Sequence, residues 1–311
     1  MDQLKPRPAN SPPLTPMSFL DRSATIYGDC TSIIYNNMTY TWSDTNRRCL
    51  ALASSLVSLG IMRGDVVSVV APNIPAMYEL HFAIPMCGGV LNTVNTRLDA
   101  RTIFVLLRHS ESKLVFVDYV SRVPVLEAIL MYPLDSEVKP PRVVFIKEED
   151  DEEFEDDDKL RAVDYEEMIK NGDPEFEWVR PVNEWDPMVL NYTSGTTSAP
   201  KGAVHCHRGL FVMTLNSLLD WSVPKRAVYL WTLPMFHANG WCYTWGMAAV
   251  GGTNICVRKF DVATIYAVIH KHGVTHMCGA PVVLNMLGNG AIDKPKAIRA
   301  MVVQNLYEYG G

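Results

Sequence analysis

Residues 192–202 read Tyr-Thr-Ser-Gly-Thr-Thr-Ser-Ala-Pro-Lys-Gly, a dense cluster of groups able to do chemistry. The hydroxyls of Thr193, Ser194, Thr196 and Thr197 can donate to phosphate oxygens. Gly195 lets the backbone approach a ligand with no Cβ in the way. Successive backbone N–H groups in a tight turn make an anion nest. Lys201 adds a mobile positive charge. The combination suits a phosphate better than it suits a polar surface turn. It is not the Walker A loop, G-x-x-x-x-G-K-[ST]. Pro200 precedes the lysine where glycine is required, and Gly202 follows where the Mg²⁺-binding hydroxyl belongs.

Two histidine-rich stretches are weaker candidates. His205 and His207 point the same way if the chain there is extended, but no further pair completes a four-ligand set nearby. His270, His272, His276 and Cys278 resemble ligands on paper. Gly273 breaks the helix that would carry the first two, and Val274–Cys278 reads as a strand. Both groups are expected to be ordinary loop and core residues, and no metal site is predicted. There is no G-x-S-x-G elbow.

The elements that must position the turn follow an alternating pattern. Ile33–Tyr35, Asn36-Asn37 and Met38–Tyr40 read as a hairpin, and Ser43 as the N-cap of a helix ending at Gly60. Val66–Val70 is an apolar run, followed by a helix over Pro75–Met86. Gly88–Asn92 leads into a strand, Arg101–His109 is helical, and Lys113–Val117 and Arg142–Ile146 are further strands. Beyond a helix around Tyr165–Lys170, Pro187–Tyr192 forms the strand that feeds the turn, and a helix follows from about His207. Apolar strands alternating with helices predict an α/β fold with mostly parallel sheets.

Composition narrows the function classes. The 311 residues are 48% hydrophobic and 20% charged, which excludes wholesale disorder. From Glu148 to Asp158 every residue except Phe154 is acidic, a run expected to be a solvated surface loop. Without those ten charges the net charge of −6 becomes +4, and no basic cluster suggests a nucleic-acid partner. No apolar run is long enough to span a membrane. Seven scattered cysteines with no C-x-x-C argue against a disulfide framework or zinc ribbon and for a reducing compartment. The terminal Tyr309-Gly310-Gly311 carries no S-K-L address.

Residues 192–202 closely resemble the signature [YF]-T-S-G-[ST]-T-G-x-P-K-G of the adenylate-forming superfamily, which includes acyl-CoA synthetases, luciferases and peptide-synthetase adenylation domains. Ser198 replaces the usual glycine, as in plant acyl-activating enzymes. Leu233–Trp241, with His237 at the aromatic or histidine position, resembles the next motif, which lines the acyl pocket. Gly88–Leu98 resembles an upstream packing motif, and Gly279-Ala280-Pro281 a turn near the acyl pocket. The likeness runs from about Phe19 to Leu287.

By that resemblance, a carboxylic acid attacks ATP to give an acyl-adenylate, and coenzyme A then displaces AMP. Thr193, Ser194, Gly195, Thr196, Thr197 and Lys201 would hold the phosphates, with Mg²⁺ sharing the charge. Lys201 and His237 would be the catalytic residues, and His237, Trp241, Gly279, Ala280 and Pro281 the acid pocket, with Phe236 and Trp245 adding apolar lining. Full-length relatives would be peroxisomal or cytosolic.

The expected organisation is a flexible tail over 1–16, a first lobe over 17–180 and a second over 181–311. That second lobe would carry the phosphate loop but be incomplete, with the mobile C-terminal domain absent. The family's Y-G-x-[ST]-E and T-G-D motifs do not occur, so the chain reads as a shortened product of a longer gene. Two classes stay open: an acid–CoA ligase or part of one, and a non-catalytic remnant that binds nucleotide phosphate, an acid or a partner.

Overall fold

Runs of β-branched and aromatic residues make the strands, and capped or wholly apolar stretches make the helices between them. The computed structural model describes residues 11–133, 138–148, 163–193 and 200–289, with the strand Val302–Asn305.

Helix α1 (Met17–Ile26) precedes the expected hairpin of β1 (Thr31–Tyr35) and β2 (Met38–Thr41), whose turn places Asn36 at φ 52°. Helix α2 (Trp42–Ser58) is capped by Thr41 rather than Ser43. The Thr41 hydroxyl accepts from the Asp44 N–H at 3.1 Å, and the Asp44 carboxylate accepts from the Thr41 N–H at 3.0 Å. A cap is the last extended residue before the helix, and here that residue ends β2.

A seven-stranded sheet follows: β3 (Val66–Val70), β4 (Val90–Thr93), β5 (Leu114–Asp118), β6 (Arg142–Ile146), β7 (Val163–Asp164), β8 (Pro187–Thr193) and β9 (Lys201–Cys206). Its order is β7-β6-β5-β3-β4-β8-β9, parallel except for the β8–β9 pair. Helices α3 (Pro75–Met86), α4 (Ala100–His109), α5 (Arg122–Leu130) and α6 (Tyr165–Asn171) connect these strands, and α7 (His207–Asp220) leaves β9. The six-stranded sheet has the order β13-β12-β10-β11-β1-β2. Its new strands are β10 (Val228–Trp231), β11 (Thr253–Cys256), β12 (His276–Gly279) and β13 (Val302–Asn305). Helices α8 (Tyr243–Val250), α9 (Val262–His272) and α10 (Pro281–Asn289) accompany them.

Three apolar clusters arrange these elements in layers. The largest lies between the sheets and takes residues from α1, α2, α3, α7 and α8. A second packs α4 and α5 on the outer face of the seven-stranded sheet, and a third packs α9 and α10 on the outer face of the other. Along β5, Leu114 and Phe116 face one cluster and Val115 and Val117 the other, so the strand is apolar throughout.

Every residue of α3 is buried, including Glu79 and His81, and buried charges need partners. The Glu79 carboxylate accepts from Arg48 Nε at 2.6 Å and Nη2 at 3.2 Å, and from the Tyr165 hydroxyl at 2.6 Å. A second ion cluster ties the two sheets. Arg258, after β11, meets Asp118 at 2.9 Å and Glu148 at 2.7 Å, and the Tyr35 hydroxyl donates to Glu148. Glu148 thus departs from the solvated loop expected of its acidic run, while 149–158 lies outside the described residues.

Two further expectations change. The phosphate segment does not belong to a lobe starting at 181, because its flanking strands β8 and β9 extend the sheet begun by β3, while β1 and β2 join the other sheet. Pairing follows exposed sheet edges rather than chain order. Of the flexible tail expected over 1–16, residues 1–10 are outside the described region. Leu14 donates its N–H to Glu184 at 3.2 Å, and Thr15 shares a 2.9 Å hydrogen bond with His207, so this part of the tail is anchored.

Candidate active site

Parallel strands present their carboxyl ends together, and ligands of open α/β sheets bind in the crevice outside those ends. Thr193 closes β8, which runs parallel to β4, and Thr93 closes β4. The segment carrying His237 leaves the end of β10, and Gly279-Ala280-Pro281 leaves the end of its parallel neighbour β12. The predicted phosphate and pocket segments therefore emerge at strand carboxyl ends.

The strands on either side of the phosphate segment, β8 and β9, pair antiparallel. Thr193 and Lys201 are cross-strand partners, both exposed. The chain does not pass directly from strand to helix as expected, because Lys201–Cys206 forms the edge strand β9 before Cys206 caps α7. Ser194, Gly195, Thr196 and Thr197 lie outside the described residues, as does Ser198. The flanks offer a hydroxyl and an ammonium group, which suit phosphate oxygens, and no carboxylate that would hold a divalent cation.

The His237 segment is held from the other sheet. Asn73, after β3, donates its amide to the carbonyls of Trp231 and Leu233, each at 2.9 Å, and accepts from the Met235 N–H at 2.8 Å. The Thr93 hydroxyl donates to the Phe236 carbonyl at 2.9 Å. The imidazole of His237 is exposed, at the head of a left-handed turn. Ala238, Asn239, Gly240, Trp241 and Cys242 have φ of 39°, 46°, 56°, 55° and 65°. Gly240 is required there, since a Cβ would sit 2.6 Å from the Trp231 ring. Asn239 is buried, and its Oδ1 accepts from Asn191 Nδ2 at 2.6 Å. One side-chain bond thus joins the strand leading to Thr193 with the turn following His237.

A family model described as AMP-binding enzyme matches residues 20–306. The chain belongs to the AMP-binding enzyme family. The match continues past Leu287, where the sequence likeness was expected to stop. The chain is 64% identical over 296 residues to 2-methylpropanoate–CoA ligase CCL4 of Humulus lupulus, covering 95% of this chain and 53% of the relative. It is 63% identical over 291 residues to a probable peroxisomal acyl-activating enzyme 5 of Arabidopsis thaliana, covering 92% and 52%. The chain therefore spans about half the length of the curated relatives it matches. The fold matches the inhibitor-bound N-terminal domain of FACL13 from Mycobacterium tuberculosis, with TM-score 0.79 and 23% identity over 93% of this chain and 69% of that one. It also matches Bacillus subtilis O-succinylbenzoate coenzyme A synthetase in complex with AMP, with TM-score 0.74 and 20% identity over 92% and 53%.

In this member of the AMP-binding enzyme family the expected pocket residues divide. Phe236 and Trp241 are half-buried, and Ala280 and Pro281 keep partial exposure, while Gly279 is buried at the end of β12. Trp245 is fully buried and donates its indole N–H to the His81 carbonyl at 3.2 Å, so it is core rather than pocket lining. The histidines of the weaker candidates are dispersed. His205 is exposed on β9, and His207, at the start of α7, is turned to Thr15. Among the described residues no group of three or more His, Cys, Asp or Glu could hold a metal ion. No helix among them is long and apolar enough to cross a membrane. Sequence reasoning missed Asn73, Thr93, Asn191, Asn239 and His81. Nothing in the spacing of these residues links them.

Proposed function

We propose that this chain is the nucleotide- and acid-binding portion of a plant acid–CoA ligase, which activates a small carboxylic acid with ATP and passes the acyl group to coenzyme A. The observation that most supports this reading is the 2.6 Å bond from Asn191, on the strand leading to Thr193, to Asn239, in the turn after His237. The relatives named as CoA ligase and acyl-activating enzyme support the same reading.

In the first half-reaction an acid oxygen bonds to the α-phosphorus of ATP as the bond to pyrophosphate breaks. In the second, the coenzyme A sulfur bonds to the acyl carbon and AMP leaves. Thr193 and the hydroxyls of Ser194, Thr196 and Thr197 would donate to the β- and γ-phosphate oxygens, and Gly195 would admit them to the backbone. Lys201 would neutralise charge on the departing pyrophosphate, a preorganised electrostatic role. His237 would face the acid carboxylate, with Trp241 and the Gly279–Pro281 turn bounding its tail. Mg²⁺ would offset phosphate charge when bound, and none of these residues is assigned to it. A peroxisomal setting is supported by the relative named peroxisomal.

Titration calorimetry with Mg²⁺·ATP, followed by pyrophosphate exchange with 2-methylpropanoate and other short, branched and aromatic acids, tests the reading. Binding and exchange dependent on one of these acids are expected. A folded chain that binds no ATP would refute it.

A further inference from the structure

The left-handed turn after His237 carries a conformational cost. A non-glycine residue at positive φ is disfavoured by about 1–2 kcal/mol, and four such residues stand here in succession with Gly240 among them. Something must hold the turn, and the side chain of Asn239 does so with both ends. Its Oδ1 accepts from Asn191 Nδ2 at 2.6 Å, and its Nδ2 lies 3.4 Å from His81 Nε2. The direction of this chain is set from the far side. His81 Nδ1 lies 2.7 Å from the Met77 carbonyl, which can only accept, so Nδ1 carries a proton; Nε2 faces the Asn239 amide, and the Met235 backbone also hydrogen-bonds this imidazole. Residues 191 and 193 share one face of β8, so Asn191 and Thr193 project to the same side of the sheet.

We propose that Asn191 and Asn239 are positioning residues that couple the phosphate hairpin to the acid pocket, so that a nucleotide held at Thr193 and Lys201 stiffens the turn after His237 through the Asn191–Asn239 bond. This coupling rests on the nucleotide reading of the hairpin. The bond itself can be tested without nucleotide.

Two measurements on the whole chain separate the possibilities. The first is the NMR titration of the His81 imidazole. Burial holds its pKa down at about 4. Asn239→Asp keeps an acceptor for Asn191 but removes the donor facing Nε2. His81 must then take a second proton to bond the new carboxylate, and its titration is expected to rise above about 6. An unmoved titration in folded Asn239→Asp overturns the polarised chain. The second is amide hydrogen exchange. Asn191 is only half-buried, so Asn191→Ala is expected to fold. Without ligand it should exchange about tenfold faster than wild type at 238–242. Unchanged exchange there overturns the proposal whether or not ATP binds. With Mg²⁺·ATP, wild type should gain protection at both 187–206 and 238–242, and Asn191→Ala only at the hairpin. Protection at the hairpin alone in wild type overturns the coupling and leaves the nucleotide reading intact. Protection at neither refutes the nucleotide reading and with it the ligand-driven coupling.

Discussion

Thr193 and Lys201 stand opposite each other as cross-strand partners of β8 and β9. Directly opposed residues of an antiparallel pair have Cα atoms about 4.5–5.5 Å apart. The hydroxyl of Thr193 and the ammonium group of Lys201 therefore start from neighbouring backbone positions. A strand-to-helix turn would have left Lys201 free to drift with the chain. The hairpin instead fixes the backbone from which it reaches.

Lys201→Ala should slow the chemistry strongly without disturbing the fold. In the complete enzyme, loss of a positioned charge to pyrophosphate is expected to slow adenylation by about 10²–10³-fold. Lys201 is exposed on an edge strand, so the change in stability should stay within about 0.5 kcal/mol. Pyrophosphate exchange beside thermal unfolding checks this. Normal exchange in the variant removes Lys201 from its assigned role.

Glu79→Ala should be among the most damaging changes distant from the predicted site. It removes the fully buried carboxylate that accepts from both Arg48 and Tyr165, leaving Arg48 only its more exposed pair with Glu166 at 2.7 Å. Breaking a buried ion pair on one side costs about 3–5 kcal/mol. Urea denaturation should show that loss in the midpoint. A loss under about 1 kcal/mol contradicts the account of α3 as a helix held by this cluster.

Acid should destabilise the fold before its carboxylates titrate. Burial holds His81 and His207 neutral, each with its pKa lowered to about 4, while an unfolded histidine titrates near 6.5. Between those values the unfolded chain binds more protons than the folded one, so stability falls as pH drops from about 6.5 to about 4. His272 and His276 are shifted in the same direction, also chiefly by burial. His207→Gln should flatten the pH dependence of urea stability in this window. An unchanged slope shows that His207 is solvated in the folded chain.

The face formed by β9 and α7 should self-associate. Val204 is 62% exposed and Leu219 77%, and Val212, Met213 and Leu215 on the same helix are exposed too. β9 is also an edge strand, with backbone groups free to pair. Light scattering at about 50 µM should show oligomers that dissolve in a Val204→Lys, Leu219→Glu variant. A monodisperse wild-type chain excludes this.

Much of this protein was legible in the order of its residues, where local chemistry decides. The run Val66–Val70, the helix Pro75–Met86 and the strand Arg142–Ile146 appear where apolar patterning and turn residues placed them. The motif around Lys201 and its kinship needed only residue types and spacing. Ser43 failed as a cap because the extended residue whose side-chain oxygen could accept from the helix, Thr41, was fixed by pairing in β2. Tertiary structure alone decided which sheet took the phosphate hairpin, because edge pairing ignores chain order. It also decided that Trp245 is core and that Glu148 is an ion-pair partner rather than part of a solvated loop. Asn73, Asn191 and Asn239 gained their meaning the same way. A short amide side chain looks like turn punctuation in a sequence, and becomes a clamp only when folding brings a distant carbonyl or amide within three ångströms of it.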